Sequence, residues 1–207
     1  MLIFISGGSA SGKSALAERV CCALPGEHIY IATMPVRSAE DERKVARHHA
    51  LRAGRGFAAT LEMPGRLDAA AVPPDAAVLF ECLSTFTANR MFSGETPPPA
   101  PRTPTGAPGS SPAAAGTGFT GGASPDAAAW LDALWAELQP LISRPGHTVI
   151  VSADVGDDGA RYDPATEDYR AVLTGLGVRL CAAADAAAEA VCGRALVHKG
   201  ALPLPSP

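Results

Sequence analysis

The chain predicts an α/β protein in which a mainly parallel sheet is flanked by helices. Three observations carry that prediction. Residues 7–14 read Gly7-Gly8-Ser9-Ala10-Ser11-Gly12-Lys13-Ser14 and fill every fixed position of a Gly-x4-Gly-Lys-Ser phosphate loop. An apolar run, Leu2-Ile3-Phe4-Ile5, precedes the loop, and Leu16, Val20, Ala23 and Leu24 follow it at helical spacing. Further short apolar runs then recur between helical stretches, the alternation of a parallel sheet with right-handed crossovers. Together these make the fold phosphate-loop NTPase-like.

Taken in order, the strand runs after the first are His28-Ile29-Tyr30-Ile31-Ala32, Ala77-Val78-Leu79-Phe80 and Thr148-Val149-Ile150-Val151, with a weaker one at Arg194-Ala195-Leu196-Val197. They are continuous rather than alternating, as expected of parallel strands covered on both faces. Between them the sequence predicts a charged helix from Ala39 to about Arg52 and a helix starting near Ser84. A third, strongly amphipathic helix carries Trp130, Leu131, Leu134, Trp135, Leu138 and Ile142. From Gly94 to Asp126 the chain is Pro, Gly, Ala, Ser and Thr with almost no large apolar residue. That composition predicts a disordered or loosely held loop, with a compact functional lid as the alternative. The whole reads as one domain, 1–207, with a long insertion.

Composition fits a soluble enzyme. A net charge of -4 argues against a dedicated nucleic-acid binder, and no apolar stretch approaches the length of a membrane span. The first strand begins at the N-terminus, leaving no room for a signal peptide. Five cysteines (Cys21, Cys22, Cys82, Cys181, Cys192) lack metal-site spacing. They read as reduced, mostly buried small hydrophobes, pointing to the cytoplasm.

The loop predicts nucleoside triphosphate binding. Its glycines let successive N–H groups converge on phosphate oxygens at a helix N-terminus. Lys13 would reach the β- and γ-phosphates, and Ser14 would help to hold Mg²⁺. Glu81, at the end of the third strand run, suits a second Mg²⁺ role, because ligands collect at the C-terminal ends of parallel strands. On the charged helix, His48 and His49 point about 100° apart and cannot form one metal site. Read from the residues alone, they are a surface pair, although one facing a triphosphate could act as acid, base or nucleophile.

Several segments extend the loop into a longer series. Tyr30-Ile31-Ala32-Thr33, Lys44-Val45-x-x-His48-x-x-x-Arg52, Thr60-x-Glu62 and Glu81-Cys82-Leu83-Ser84-Thr85 with Asn89 occur in that order. Val155-Gly156, Tyr169-Arg170 and Arg179-Leu180-x-Ala182-Ala183-Ala184-Asp185 follow. The series resembles the bifunctional adenosylcobinamide kinase / adenosylcobinamide-phosphate guanylyltransferase family of cobalamin biosynthesis, most specifically over residues 1–92. The resemblance implies phosphorylation of adenosylcobinamide by ATP or GTP, then transfer of GMP from GTP to the product through a covalent histidine–GMP. Spacing to Glu40, Lys44, Val45 and Arg52 assigns that histidine to His48. Counting back from Thr60-x-Glu62 gives His49, and one inserted residue near Phe57-Ala58-Ala59 reconciles both counts at His48.

By the same resemblance Gly7 to Ser14, Ala32, Thr33, Met34, His49, Ala50, Leu51, Arg52, Glu62 and Glu81 contact nucleotide. The partner is a corrinoid, and the family's habit is a homo-oligomer. The chain departs from the family pattern at Ala153-Asp154 (usually Asn-Glu), at Glu167 (an arginine) and at Gly177-Val178 (Asn-Gln). These changes remove amides and a cation from the C-terminal half. Two other readings use the same loop: a different small-molecule kinase, and a non-catalytic nucleotide-binding relative.

Overall fold

The computed structural model describes residues 1–35, 43, 54, 56–94, 124–155 and 159–204. A seven-stranded sheet is formed by β1 (Leu2–Gly7), β2 (His28–Ala32), β3 (Ala59–Glu62), β4 (Ala77–Glu81), β5 (His147–Ala153), β6 (Ala186–Val191) and β7 (Arg194–Lys199). Their spatial order is β3-β2-β4-β5-β1-β6-β7. Every neighbouring pair is parallel except β6 and β7. The helices are α1 (Lys13–Cys22), α2 (Leu83–Met91), α3 (Pro125–Ile142) and α4 (Pro164–Ala183).

The unbroken apolar runs have a direct explanation. Successive strand residues point to opposite faces, and both faces are covered. Leu2, Phe4, Ile29, Ile31, Val78, Phe80 and Ile150 pack under α2, α3 and α4. Ile3, Ile5, Tyr30, Leu79, Val149 and Val151 pack under α1, with Leu202 and Leu204 of the C-terminal tail at the margin. Trp130, Leu134, Leu138 and Leu141 are the buried stripe of α3, and Leu131, Trp135 and Ile142 flank it. Gly175 of α4 lets α3 approach, since a Cβ there would lie 2.7 Å from a Leu131 methyl.

Several expectations are corrected. Arg194–Val197 does form a strand, but β7 is antiparallel, lies at the sheet edge and is exposed throughout. It returns from β6 through the two-residue turn Cys192-Gly193, with φ of +48° and +78°, and no crossover helix intervenes to make it parallel. Ala23 is exposed, because α1 ends at Cys22 and Ala23 caps it outside the buried stripe. The cysteines are not mostly buried. Cys21 is buried and Cys22 and Cys82 half-buried, whereas Cys181, off the α4 stripe, and Cys192, in the turn, are exposed.

The low-complexity stretch also stops short of Asp126. Ser124 is the N-cap of α3, its hydroxyl accepting the Ala127 N–H, with Pro125 in the first turn and Asp126 next. Residues 95–123 lie outside the described residues, as does the expected helix from Ala39 to Arg52 apart from Arg43.

Candidate active site

Because β1 to β5 are parallel, their C-terminal ends meet along one edge of the sheet, and the phosphate-loop sequence lies there between β1 and α1. The loop closes on itself through Ser11 N–H to the Gly8 carbonyl (3.3 Å), and Lys13 Nζ folds back to the same carbonyl at 3.0 Å. Ala10 and Gly12 hold positive φ (+55° and +87°), which turns consecutive N–H groups toward a common side. The start of α1 differs from the other helix starts. Its N-cap is Gly12, with no capping side chain and no acidic residue in the first turn. In contrast, Cys82, Ser124 and Asp163 cap α2, α3 and α4 with side-chain acceptors. The first N–H groups of α1 therefore have no side-chain acceptor, and the helix dipole adds positive potential at the same place.

Glu81 is the last residue of β4 and faces this loop. Its Oε1 accepts the Ser14 hydroxyl, and its Oε2 accepts the Tyr30 hydroxyl at 2.8 Å. The sequence separated Ser14 and Glu81 by 67 positions, and the sheet brings them together. A hydroxyl beside a carboxylate is a hard-oxygen donor set. It suits Mg²⁺, which keeps waters and takes one or two protein ligands alongside phosphate oxygens. Among the described residues no cluster of three or more His, Cys, Asp or Glu could hold a metal ion.

The neighbouring strand ends are tied to one another. Thr33 is wholly buried, and its Oγ1 donates to the Cys82 carbonyl (3.0 Å) and accepts the Cys82 N–H (2.8 Å). Its side chain is thereby committed within the protein, while Ala32 is buried and Met34 half-buried. Asn89 Nδ2 bridges the Thr33 and Pro64 carbonyls at 2.7 and 2.8 Å, joining the segments that follow β2 and β3. Glu62 ends β3 in the same row of strand ends, exposed. Cys82 Sγ lies 3.0 Å from both Ser84 Oγ and Thr85 Oγ1, and Tyr169 OH donates to the Ser84 carbonyl at 3.2 Å. Burial, and then the nearby Cys82, pushes the Tyr169 phenol up to about 12, so it remains a donor across the physiological range.

His48, His49, Ala50, Leu51 and Arg52 lie outside the described residues. The departures from the family pattern fall in different places. Asp154 donates its N–H to the Gly7 carbonyl (2.9 Å) and so borders the phosphate loop. Glu167 accepts the Tyr162 N–H and pairs with Arg170 at 3.4 Å. Gly177 faces Phe4, whereas Val178 is exposed.

Two features went unread in the sequence. Tyr30 read only as part of a strand run and of the series that carries the resemblance, and its hydroxyl on Glu81 follows only from strand pairing. The turn Cys192-Gly193 abuts the loop through Gly193 N–H to the Ser11 carbonyl (2.8 Å), and its signal was the hairpin glycine. An open groove of about 1330 Å³ runs between α1 and β7, past Arg19, Cys22, Arg194 and Val197, and the turn residues Cys192 and Gly193 line it too.

A mainly parallel α/β sheet, with a glycine loop leading into an uncapped helix and a carboxylate at the end of a strand one removed from β1, is the plan of phosphate-loop enzymes. Residues 3–197 match the family described as cobinamide kinase / cobinamide phosphate guanyltransferase, and the chain belongs to that family. It is also similar to the bifunctional adenosylcobalamin biosynthesis protein CobU of Salmonella typhimurium. The two are 28% identical over 194 residues, covering 89% of this chain and 92% of that protein.

Proposed function

We propose that this chain carries out both reactions named by its family: phosphorylation of adenosylcobinamide, and transfer of GMP to the phosphate so formed. The observation that carries the reading is the junction of loop and carboxylate, in which Ser14 at the start of α1 meets Glu81 at the end of β4. In the first reaction the loop amides and Lys13 hold the β- and γ-phosphates of ATP or GTP. The aminopropanol hydroxyl attacks the γ-phosphorus, a new P–O bond forms, and the β–γ bridging bond breaks to release the nucleoside diphosphate. Catalysis is positioning and charge neutralisation. Ser14 and Glu81 would hold Mg²⁺, which neutralises phosphate charge when bound.

In the second reaction an imidazole nitrogen of His48 attacks the α-phosphorus of GTP and pyrophosphate leaves. The phosphate oxygen of adenosylcobinamide phosphate then displaces the imidazole, giving adenosylcobinamide-GDP. A neutral imidazole is a competent nucleophile near pH 7, and its P–N bond is reactive enough to pass GMP on. Met34, Glu62 and the stretch His49 to Arg52 complete the nucleotide contacts. The chain works as one domain with an insertion, in the cytoplasm. Among the described residues no helix is long and apolar enough to cross a membrane.

The test is labelling with α-³²P GTP. Wild-type protein should retain acid-labile label, and His48→Asn should lose it while still phosphorylating adenosylcobinamide. His49→Asn should keep the label. Label that persists in His48→Asn and vanishes in His49→Asn moves the nucleophile by one residue. A wild-type chain that never takes up label forms no histidine–GMP intermediate.

A further inference from the structure

We propose that Tyr30 is a positioning residue for the divalent-cation ligand: its hydroxyl and that of Ser14, one on each oxygen, fix the Glu81 carboxylate toward a cation bound with the nucleoside triphosphate. The proposal rests on the phosphate-loop reading above and extends it to a side chain that the loop motif does not contain.

Strand register explains how Tyr30 reaches the site. Ala32 pairs with Glu81 and Tyr30 with Leu79, so on one face of the sheet Tyr30 lies diagonally behind the carboxylate. The residue beside Glu81 on β2 is alanine, Ala32, which leaves room for the phenol to extend along the sheet. The Tyr30 ring is buried (4% exposed) and held by an edge contact to Phe57, with centroids 5.6 Å apart and planes at 87°. Its hydroxyl ends 2.8 Å from Glu81 Oε2, while Ser14 occupies Oε1.

Two donors on opposite oxygens leave the carboxylate little freedom to rotate about its terminal torsion, which is otherwise broad. The donors also differ in kind. Ser14 belongs to the loop and would itself be shared with a cation, whereas Tyr30 comes from a β-strand buried in the core. Tyr30 thus supplies the constraint that does not depend on loop conformation. Hydrogen bonds of this sort behind a metal ligand are worth roughly 10–100-fold in metal affinity or activity.

The experiment uses the full chain with β,γ-imido ATP and Mn²⁺ as the probe, counting free Mn²⁺ by electron paramagnetic resonance. Tyr30→Phe keeps the buried ring and removes only the hydroxyl. It should weaken Mn²⁺ binding to the nucleotide complex about tenfold and raise by a similar factor the Mg²⁺ concentration giving half-maximal transfer, with kcat recovering at saturating Mg²⁺. In a double-mutant cycle Tyr30→Phe should add nothing to Glu81→Gln, because Tyr30 acts through that carboxylate. A lowered melting temperature with unchanged Mn²⁺ affinity would make the hydroxyl a structural bond and overturn the proposal. Losses that add in the double variant would overturn it too. Wild-type protein that fails to bind nucleotide would overturn the phosphate-loop reading, and this proposal with it. Wild-type protein that binds Mn²⁺-nucleotide normally while Tyr30→Phe matches it would overturn the Tyr30 role alone.

Discussion

Replacing Glu137 by leucine removes a countercharge from a guanidinium that the core has enclosed. Arg90 of α2 is 2% exposed, and its Nε donates to Glu137 Oε2 of α3 at 3.2 Å, with Glu137 18% exposed. The other carboxylate oxygen accepts the Leu67 N–H at 2.9 Å, so Glu137 also anchors the chain after β3. Breaking a buried pair from one side costs about 3–5 kcal/mol, and the lost Leu67 bond accounts for roughly 1 kcal/mol of that. For a chain of this size each kcal/mol moves the melting temperature by about 2–4 °C, so Glu137→Leu should melt roughly 6–20 °C lower.

Arg90→Met should cost less, because the partly exposed Glu137 can recover water. The pair Arg90→Met with Glu137→Leu should return most of the loss, since an apolar pair of similar volume often matches a buried ion pair. Urea unfolding followed by far-UV circular dichroism measures all four corners of this cycle. A Glu137→Leu cost under about 1 kcal/mol, or a double variant as unstable as the sum of the singles, would refute the reasoning.

Lys13→Ala should lower phosphoryl transfer by at least on the order of 10²–10³-fold while leaving urea stability nearly unchanged, because among the described residues its ammonium bonds only the Gly8 carbonyl and packs no core; near-native kinase rates would refute the phosphate-loop assignment. Deleting residues 95–122 with a short Gly-Ser linker should preserve cooperative unfolding and nucleotide binding, since shortening a loop changes closure entropy by only about a kcal/mol. Ser124 must be kept, because it caps α3 and donates to Asp168 at 2.8 Å, and a deletion that abolishes the unfolding transition would show that the segment supplies core. His147 should give the stability curve an acid limb. Burial, then the N-terminal ammonium and Arg144, holds its imidazole below the model-peptide value of 6.5, and its buried Nδ1 has no hydrogen-bond partner among the described residues. The native chain therefore binds fewer protons than the unfolded one just below pH 6.5, so stability falls as pH drops through that window. His147→Asn should flatten this part of the curve, and an unchanged slope in urea titrations would contradict the assignment.

Much of the fold was legible because its signals are local. An apolar run, a glycine loop and a helix must be adjacent in sequence for the loop to form, so β1, the loop and α1 could be read directly. β2, β4 and β5 were equally plain, since strands buried on both faces have no polar alternation to confuse them. β6 was not read because Ala186-Ala187-Ala188-Glu189-Ala190 favours a helix by intrinsic propensity. It becomes a strand because β1 and β7 supply hydrogen bonds on either side. β3 is four residues long, half-exposed and at the sheet edge, too little for a pattern to show. For α4 a signal existed and went unread: Asp163 before Pro164, with the cap accepting the Ala165 and Thr166 N–H groups.

The candidate site divides along the same line. The sequence alone offered the phosphate loop and the carboxylate of Glu81 as candidates, because each is a residue type in a local context, whereas His48 and His49 read alone as a surface pair and only the family resemblance gave His48 a role. Only the tertiary structure decided that Ser14 and Tyr30 meet Glu81 on opposite oxygens, that the Thr33 hydroxyl is spent on Cys82, and that Asn89 joins the ends of β2 and β3. These contacts span separations of 25 to 67 positions. Their geometry depends on which strands are neighbours and in what register, and those are fixed by the packing of the whole sheet.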